Sequence, residues 1–167
     1  MIDFIIRTIQ DGFFAAIAAI GFGSISNIPL KAFKGCALLA ALGHMTRYLL
    51  MYGANWSIIG ASFIAALVIG ISSIFVAKEW KCPAESFSFP ALLPMIPGMY
   101  AYRTVQALIK CLENSVETQF NHYFYLLNYN WMMCVIIVIL MVIGVTLPIF
   151  AFSKTSFQVT KQHISNR

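Results

Sequence analysis

The sequence predicts an all-α integral membrane protein with five transmembrane helices, the fourth of them broken by proline and glycine. Three observations predict it. Of the 167 residues, 60% are apolar and only 10% are Asp, Glu, Lys or Arg, against roughly 25% charged in an ordinary soluble domain, so too few charges exist to coat a globule. Five long apolar stretches recur along the chain, each near the ~20 residues that a helix needs to cross about 30 Å of hydrocarbon. One of those stretches holds Pro90, Pro94, Pro97 and Gly98, which a continuous helix does not accommodate. Together these exclude a soluble domain, a disordered chain and a disulfide scaffold. Residues 1–167 read as a single membrane domain with spans at about 5–28, 35–54, 57–77, 87–109 and 131–152, an interfacial helix at about 110–130 and a cytoplasmic tail at 153–167.

At the N-terminus Ile2, Ile5, Ile9 and Phe13 recur at helical spacing opposite Asp3, Arg7, Gln10 and Asp11, an amphipathic lead-in. The uncharged run from Gly12 to Leu30 lacks a basic n-region and exceeds the usual h-region of a signal peptide, so it is kept as span one, ending before Pro29. Lys31 and Lys34 lead into span two, which is apolar except for His44, Thr46 and Arg47 near its centre. Span three is uncharged and carries Ala61, Ala65, Ala66 and Gly70 at helix-packing spacing. Lys78, Glu79, Lys81 and Pro83 precede the broken span four. Residues 110 to 130 place Leu112, Val116, Phe120, Phe124 and Leu127 on one stripe beside Tyr123, Tyr125, Tyr129 and Trp131, as suits a helix at the interface. The four cysteines, 36, 82, 111 and 134, match no metal or redox spacing and are expected to be free thiols.

Sorting the basic residues sets the expected topology. Lys31, Lys34, Lys78, Lys81, Lys154, Lys161 and Arg167 fall on one side, Arg7 and Lys110 on the other. The positive-inside rule then puts the N-terminus outside and the C-terminus in the cytoplasm. Scattered as they are, these charges do not form a nucleic-acid surface. An odd number of spans suggests half of an inverted-repeat transporter, whose second half comes from another subunit.

Enzyme motifs and paired carboxylates are absent from the spans, so no catalytic residue is assigned and no enzyme is expected. The candidates are the polar groups at membrane depth. His44 and Arg47, three apart on span two, share a helical face. Arg47 offers a planar fork matched to a carboxylate, and His44 can couple transport to a proton gradient, the expected energy source in place of any cofactor. Pro94 and Pro97 would free the carbonyls of Pro90 and Leu93, and a half-helix starting after Pro97 would turn the amides beyond Gly98 toward an anion. Arg103 lies about 9 Å further along that helix, either in the pathway or snorkelling outward. Asp11 is intramembrane or interfacial according to where span one starts, and Asn27 reads as a helix-end cap or a ligand.

The order Asp11, Gly21-Phe22, Asn27-Ile28-Pro29, Gly43-His44 with Arg47, then Pro94-Met95-Ile96-Pro97-Gly98 with Tyr102 resembles the C-terminal half of the ThrE-type threonine/serine exporters, over about residues 11 to 108. In split members that half is a separate small subunit. The resemblance implies a ten-helix exporter of the bacterial inner membrane built from two five-helix halves. It implies a partner with five spans and a cytoplasmic N-terminal domain, and it adds Tyr102 to the candidate site. Fused members are associated with threonine and serine efflux, and split pairs with dicarboxylates such as succinate. Apart from Asp11 no acid lies within a span, which suits a dicarboxylate, whereas the family name points to amino acids; both stay open. The alternative is a non-transporting structural or assembly subunit whose polar residues only hold helices together.

Overall fold

The computed structural model describes residues 2–114 and 116–152. Among these it is helical throughout, with no strand. The elements are α1 (Ile2–Ile25), α2 (Ala32–Tyr48) running on into a π-helical turn (Leu49–Gly53), α3 (Ile58–Trp80), α4 (Glu85–Leu92) followed by a 3₁₀ turn (Leu93–Met95), α5 (Gly98–Glu113) and α6 (Glu117–Ala151). Three helices, α1, α3 and α6, are long and apolar enough to cross a membrane. The tail from residue 153 lies outside the described residues.

Element boundaries differ from the sequence expectation in three places. The amphipathic lead-in is continuous with span one as α1. The stretch 87–109 is divided between α4 and α5. The expected interfacial helix at 110–130 is divided, its first residues ending α5 at Glu113 and the rest running on with span five as one 35-residue helix, α6, because no glycine or proline interrupts the chain between residue 117 and Gly144.

The chain forms two compact units, residues up to Met95 together with those from Met141, and Ile96–Leu140. In the first unit α2 is central, packed along α1, α3 and α4. Lipid tails are as apolar as leucine, so helices in a bilayer gain from close backbone approach through small residues. Accordingly Thr8, Gly12, Ala15, Ala19 and Gly23 form the buried face of α1. On α3 the buried face includes Ala61, Ala65, Ala66 and Gly70, so the small residues of span three sit in helix contacts. Gly35 abuts the Phe87 ring and Gly43 the Ile69 side chain. The bulky apolar residues Ile9, Phe13, Ile17, Phe75, Leu147 and Phe150 point outward, the reverse of a soluble core and what a lipid-facing surface requires.

Local chemistry ends each helix. After α1, Asn27 adopts φ 51°, and the amides of Asn27 and Ile28 return to the carbonyls of Ser24 and Gly23, a left-handed C-terminal cap. This is the helix-end reading of Asn27. Ser57 caps α3, its hydroxyl accepting from the Gly60 amide at 3.3 Å. Lys81, at φ 54°, closes the other end. Within α4, Pro90 supplies no N–H to the Ser86 carbonyl, and the Cys36 thiol of α2 donates to that carbonyl at 3.3 Å.

The second unit begins at the break. Pro97, at φ −76° and ψ 62°, centres an inverse γ-turn in which the Gly98 amide donates to the Ile96 carbonyl at 2.7 Å. The Tyr100 and Ala101 amides then bond the Pro97 carbonyl, so α5 starts immediately. A Cβ on Gly98 would meet nothing within 4 Å. Gly98→Ala is therefore expected to leave the thermal midpoint in detergent within a few degrees of the wild type, since surface changes clear of special contacts stay within about 0.5 kcal/mol. At the far end of α5 the Asn114 amide side chain bonds the Lys110 carbonyl at 2.8 Å.

Candidate functional site

The polar face of α2 and the acid of α1 meet in the first unit. α2 carries His44 among its buried residues, together with Gly35, Cys36, Leu39, Ala40 and Gly43. The close approach of α1 to α2 at Gly12 sets Asp11, one residue earlier, against that helix. His44 Nδ1 lies 3.1 Å from Asp11 Oδ2, the one ion pair among the described residues. The His44 side chain is 8% exposed and that of Asp11 36%, so the carboxylate reaches from a buried ring toward the outside of the bundle.

Arg47, one turn on, approaches the same ring nitrogen. Its Nη1 donates to the Met95 carbonyl at 3.0 Å, and its Nη2 lies 3.5 Å from His44 Nδ1. Met95 closes the 3₁₀ turn, and the Gly98 amide is taken by Ile96. The guanidinium thus supplies a donor at the interruption of the helix, as a buried carbonyl requires. Sequence reasoning named the Pro90 and Leu93 carbonyls as those the prolines would free. The carbonyls that take donors from α2 are those of Ser86 and Met95.

One nitrogen, His44 Nδ1, stands between an acceptor and a donor. Protonated, it donates to Asp11; unprotonated, it accepts from Arg47. The shorter distance belongs to Asp11, which makes Nδ1–H to carboxylate the better bond and puts the lone pair of the neutral ring on Nε2. That Nε2 is buried and has no hydrogen-bond partner among the described residues. Immediately beyond Arg47 the chain widens into the π-helical turn, where Ala54 bonds back to the Leu49 carbonyl, an irregularity frequent at functional sites. Phe4, Tyr48 and Tyr52 form a run of tilted ring contacts beside it, with centroids 5.6 Å and 4.6 Å apart.

The remaining sequence candidates make no side-chain hydrogen bond with the cluster among the described residues. Asn27 is 16 residues from Asp11 along α1, about 24 Å by the helical rise. Pro94 is in the 3₁₀ turn that ends at Met95. Pro97, Gly98, Tyr102 and Arg103 belong to the second unit, where Tyr102 points outward at 62% exposure. Sequence reasoning named Asp11, His44 and Arg47 but did not join them. The available signal was the small-residue face Thr8, Gly12, Ala15 and Ala19, which carries Asp11 to the α2 side of α1.

The family whose sequence model is described as "Threonine/Serine exporter, ThrE" matches residues 11–151. An uncharacterized protein from Haemophilus influenzae is 40% identical over 107 residues, covering 64% of this chain and 36% of that protein. The match therefore spans about a third of the length of that relative. No solved structure matches.

Proposed function

The chain belongs to the threonine/serine exporter family, and from that premise we propose that it is one membrane half of a two-part secondary exporter of small carboxylate metabolites. The observation that carries this reading is the cluster of Asp11, His44 and Arg47 inside a bundle whose outer surface is apolar. Ionisable groups in such a place are costly and are retained for a task. Arg47 offers its fork to the substrate carboxylate, and Asp11 with the free His44 Nε2 offers acceptors to an ammonium or a hydroxyl. A carboxylate with an ammonium on its α-carbon and a hydroxyl on the next carbon describes serine and threonine. That complementarity favours an amino acid over a dicarboxylate, for which Asp11 is the wrong charge. Asp11 and His44, sharing one proton between a carboxylate and a ring, are the groups through which a proton gradient drives export.

Counting α2 with its π-helical turn, and α4 with α5 as one broken crossing, gives five spans around the three long ones. The basic residues at the 26–34 and 78–85 connections then face the cytoplasm of a bacterial inner membrane, with the N-terminus outside. Five spans leave an inverted-repeat pathway half built, so the other half is supplied by a partner subunit with five spans and a cytoplasmic N-terminal domain.

The test is efflux. Cells expressing the chain together with the product of the neighbouring reading frame are loaded with labelled serine, threonine or succinate, and the medium is followed. Serine and threonine are expected to leave several-fold faster than from cells carrying either subunit alone. Succinate in their place would move the substrate to dicarboxylates, and efflux equal to that of empty cells would leave the assembly-subunit reading.

A further inference from the structure

A cavity of about 410 Å³ lies within the second unit, between α5 and the first turns of α6. Arg103, Gln106 and Lys110 line it from α5, and Tyr123, Tyr129 and Asn130 from α6. Arg103 and Lys110 are two helical turns apart, so their Cα atoms are separated by about 10 Å and their long side chains can close on one group between them. Lys110 Nζ already stands over the Tyr123 ring, 5.5 Å from its centroid. The Asn130 amide is tied to the Leu126 carbonyl, which fixes that wall.

Two features of this hairpin call for a ligand. First, α5 turns its polar face to the cavity, while Val105, Leu108, Ile109 and Leu112 point outward. An amphipathic helix so oriented lays its apolar face against lipid and keeps its polar face, with Arg103 and Lys110, on the groove. Second, those charges are both positive. The one ion pair among the described residues is His44–Asp11, so neither Arg103 nor Lys110 has a carboxylate partner among them. Arg103 is exposed and Lys110 half-buried, so two like charges repel across one groove, and an anion between them offsets that repulsion.

The position says which anion. α6 has 35 residues and is about 52 Å long, well beyond the roughly 30 Å of a hydrocarbon core. Trp131–Ala151 alone fills about 30 Å, which puts the cavity-lining turns of α6, with Tyr123, Tyr125 and Tyr129, at the headgroup level where such aromatics gather. We infer that the α5–α6 hairpin binds a phosphate group there, held between the Arg103 fork and the Lys110 ammonium. The group has oxygens enough for both cations and for the Gln106 amide and tyrosine hydroxyls around them. The site is built from residues of the second unit alone, and its argument does not depend on the role of the Asp11–His44–Arg47 cluster.

The phosphate is either free or the headgroup of an anionic phospholipid, and two arms distinguish them. In one, the full chain in detergent is titrated with inorganic phosphate and, in parallel, with succinate by calorimetry. In the other, the chain is purified from nanodiscs containing phosphatidylglycerol and phosphatidylcholine, and retained lipid is counted by native mass spectrometry. R103Q and K110Q are each expected to weaken binding about tenfold and the double variant about a hundredfold, the loss of one and two charge-assisted hydrogen bonds. The control K34Q/K78Q removes the same net charge elsewhere and is expected to bind as the wild type. Unchanged thermal midpoints verify folding. Phosphate binding alone identifies a free ligand, and selective retention of phosphatidylglycerol identifies the headgroup. Succinate bound in preference to phosphate, no binding in either arm, or equal binding by wild type and double variant would overturn the assignment.

Discussion

Arg47→Ala is expected to reduce substrate efflux by about a hundredfold, the loss that follows when one charged hydrogen-bonding partner worth about 2.7 kcal/mol is removed from a desolvated site. The guanidinium performs two tasks at once. One nitrogen is spent on the Met95 carbonyl, which fixes the group beside the helix break, and the rest of the fork faces His44 and whatever anion enters. Lysine cannot divide itself this way, since its ammonium is a single point charge on a flexible stem, so Arg47→Lys is expected to restore little. The measurement is the initial rate of labelled serine or threonine efflux, normalised to the folded protein recovered from the membrane by size-exclusion chromatography. Wild-type efflux from Arg47→Ala would remove Arg47 from the pathway. Asp11→Asn supplies the complementary test. It leaves the one carboxylate–imidazole pair among the described residues as a neutral contact, and removing one partner of a buried pair costs about 3–5 kcal/mol, reduced here because the Asp11 side chain is 36% exposed. Its expected signature is efflux that no longer responds to the imposed proton gradient.

The membrane class, the helical content and the small-residue faces were legible in the sequence because each rests on local composition or on a period of 3.6. The run of α3 over Ile58–Trp80 follows from an uncharged apolar stretch bounded by Ser57 and Lys81. Pro94 and Pro97 stand where α4 gives way to α5. The continuity of α6 was not legible, because Tyr and Asn at 121–130 look interfacial, whereas nothing in them stops a helix. Of the site, Arg47 and His44 showed themselves by their cost at mid-span. Their partners did not. Asp11 lies 33 residues from His44 and the Met95 carbonyl 48 residues from Arg47, and pairings at that separation depend on how helices are set against each other. A backbone acceptor in particular leaves no mark on residue type, and neither does the Ser86 carbonyl that receives Cys36.

The α3–α6 crossing, by contrast, can be broken by a single methyl group. A Cβ on Gly70 would stand 2.6 Å from the Val145 carbonyl oxygen and 3.1 Å from its Cα. A Cβ on Gly144 would stand 2.9 Å from the Phe63 carbonyl oxygen. Each glycine therefore accepts the backbone of the opposite helix, and backbone cannot swing aside as a side chain does. Forcing atoms into such a contact costs about 1–3 kcal/mol for one added methyl, and more for a branched residue. Gly70→Ala is expected to lower the thermal midpoint in detergent by several degrees, and Gly70→Val to prevent recovery of folded protein. Gly21→Ala serves as the control, since a Cβ there meets nothing within 4 Å, and any general effect of replacing glycine within a membrane helix would appear in it equally. Gly12 makes a third comparison. Its Cβ would meet the Met45 side chain at 2.8 Å, but methionine has three rotatable bonds and yields, so Gly12→Ala is expected to fall between the two. A midpoint for Gly70→Ala equal to that of Gly21→Ala would mean that α3 and α6 do not approach this closely. Because a Cβ on Gly70 would meet α6 at Val145 and Pro148 and no residue of the Asp11–His44–Arg47 cluster, whatever folded Gly70→Ala remains is expected to export at the wild-type rate per molecule, which separates loss of fold from loss of site.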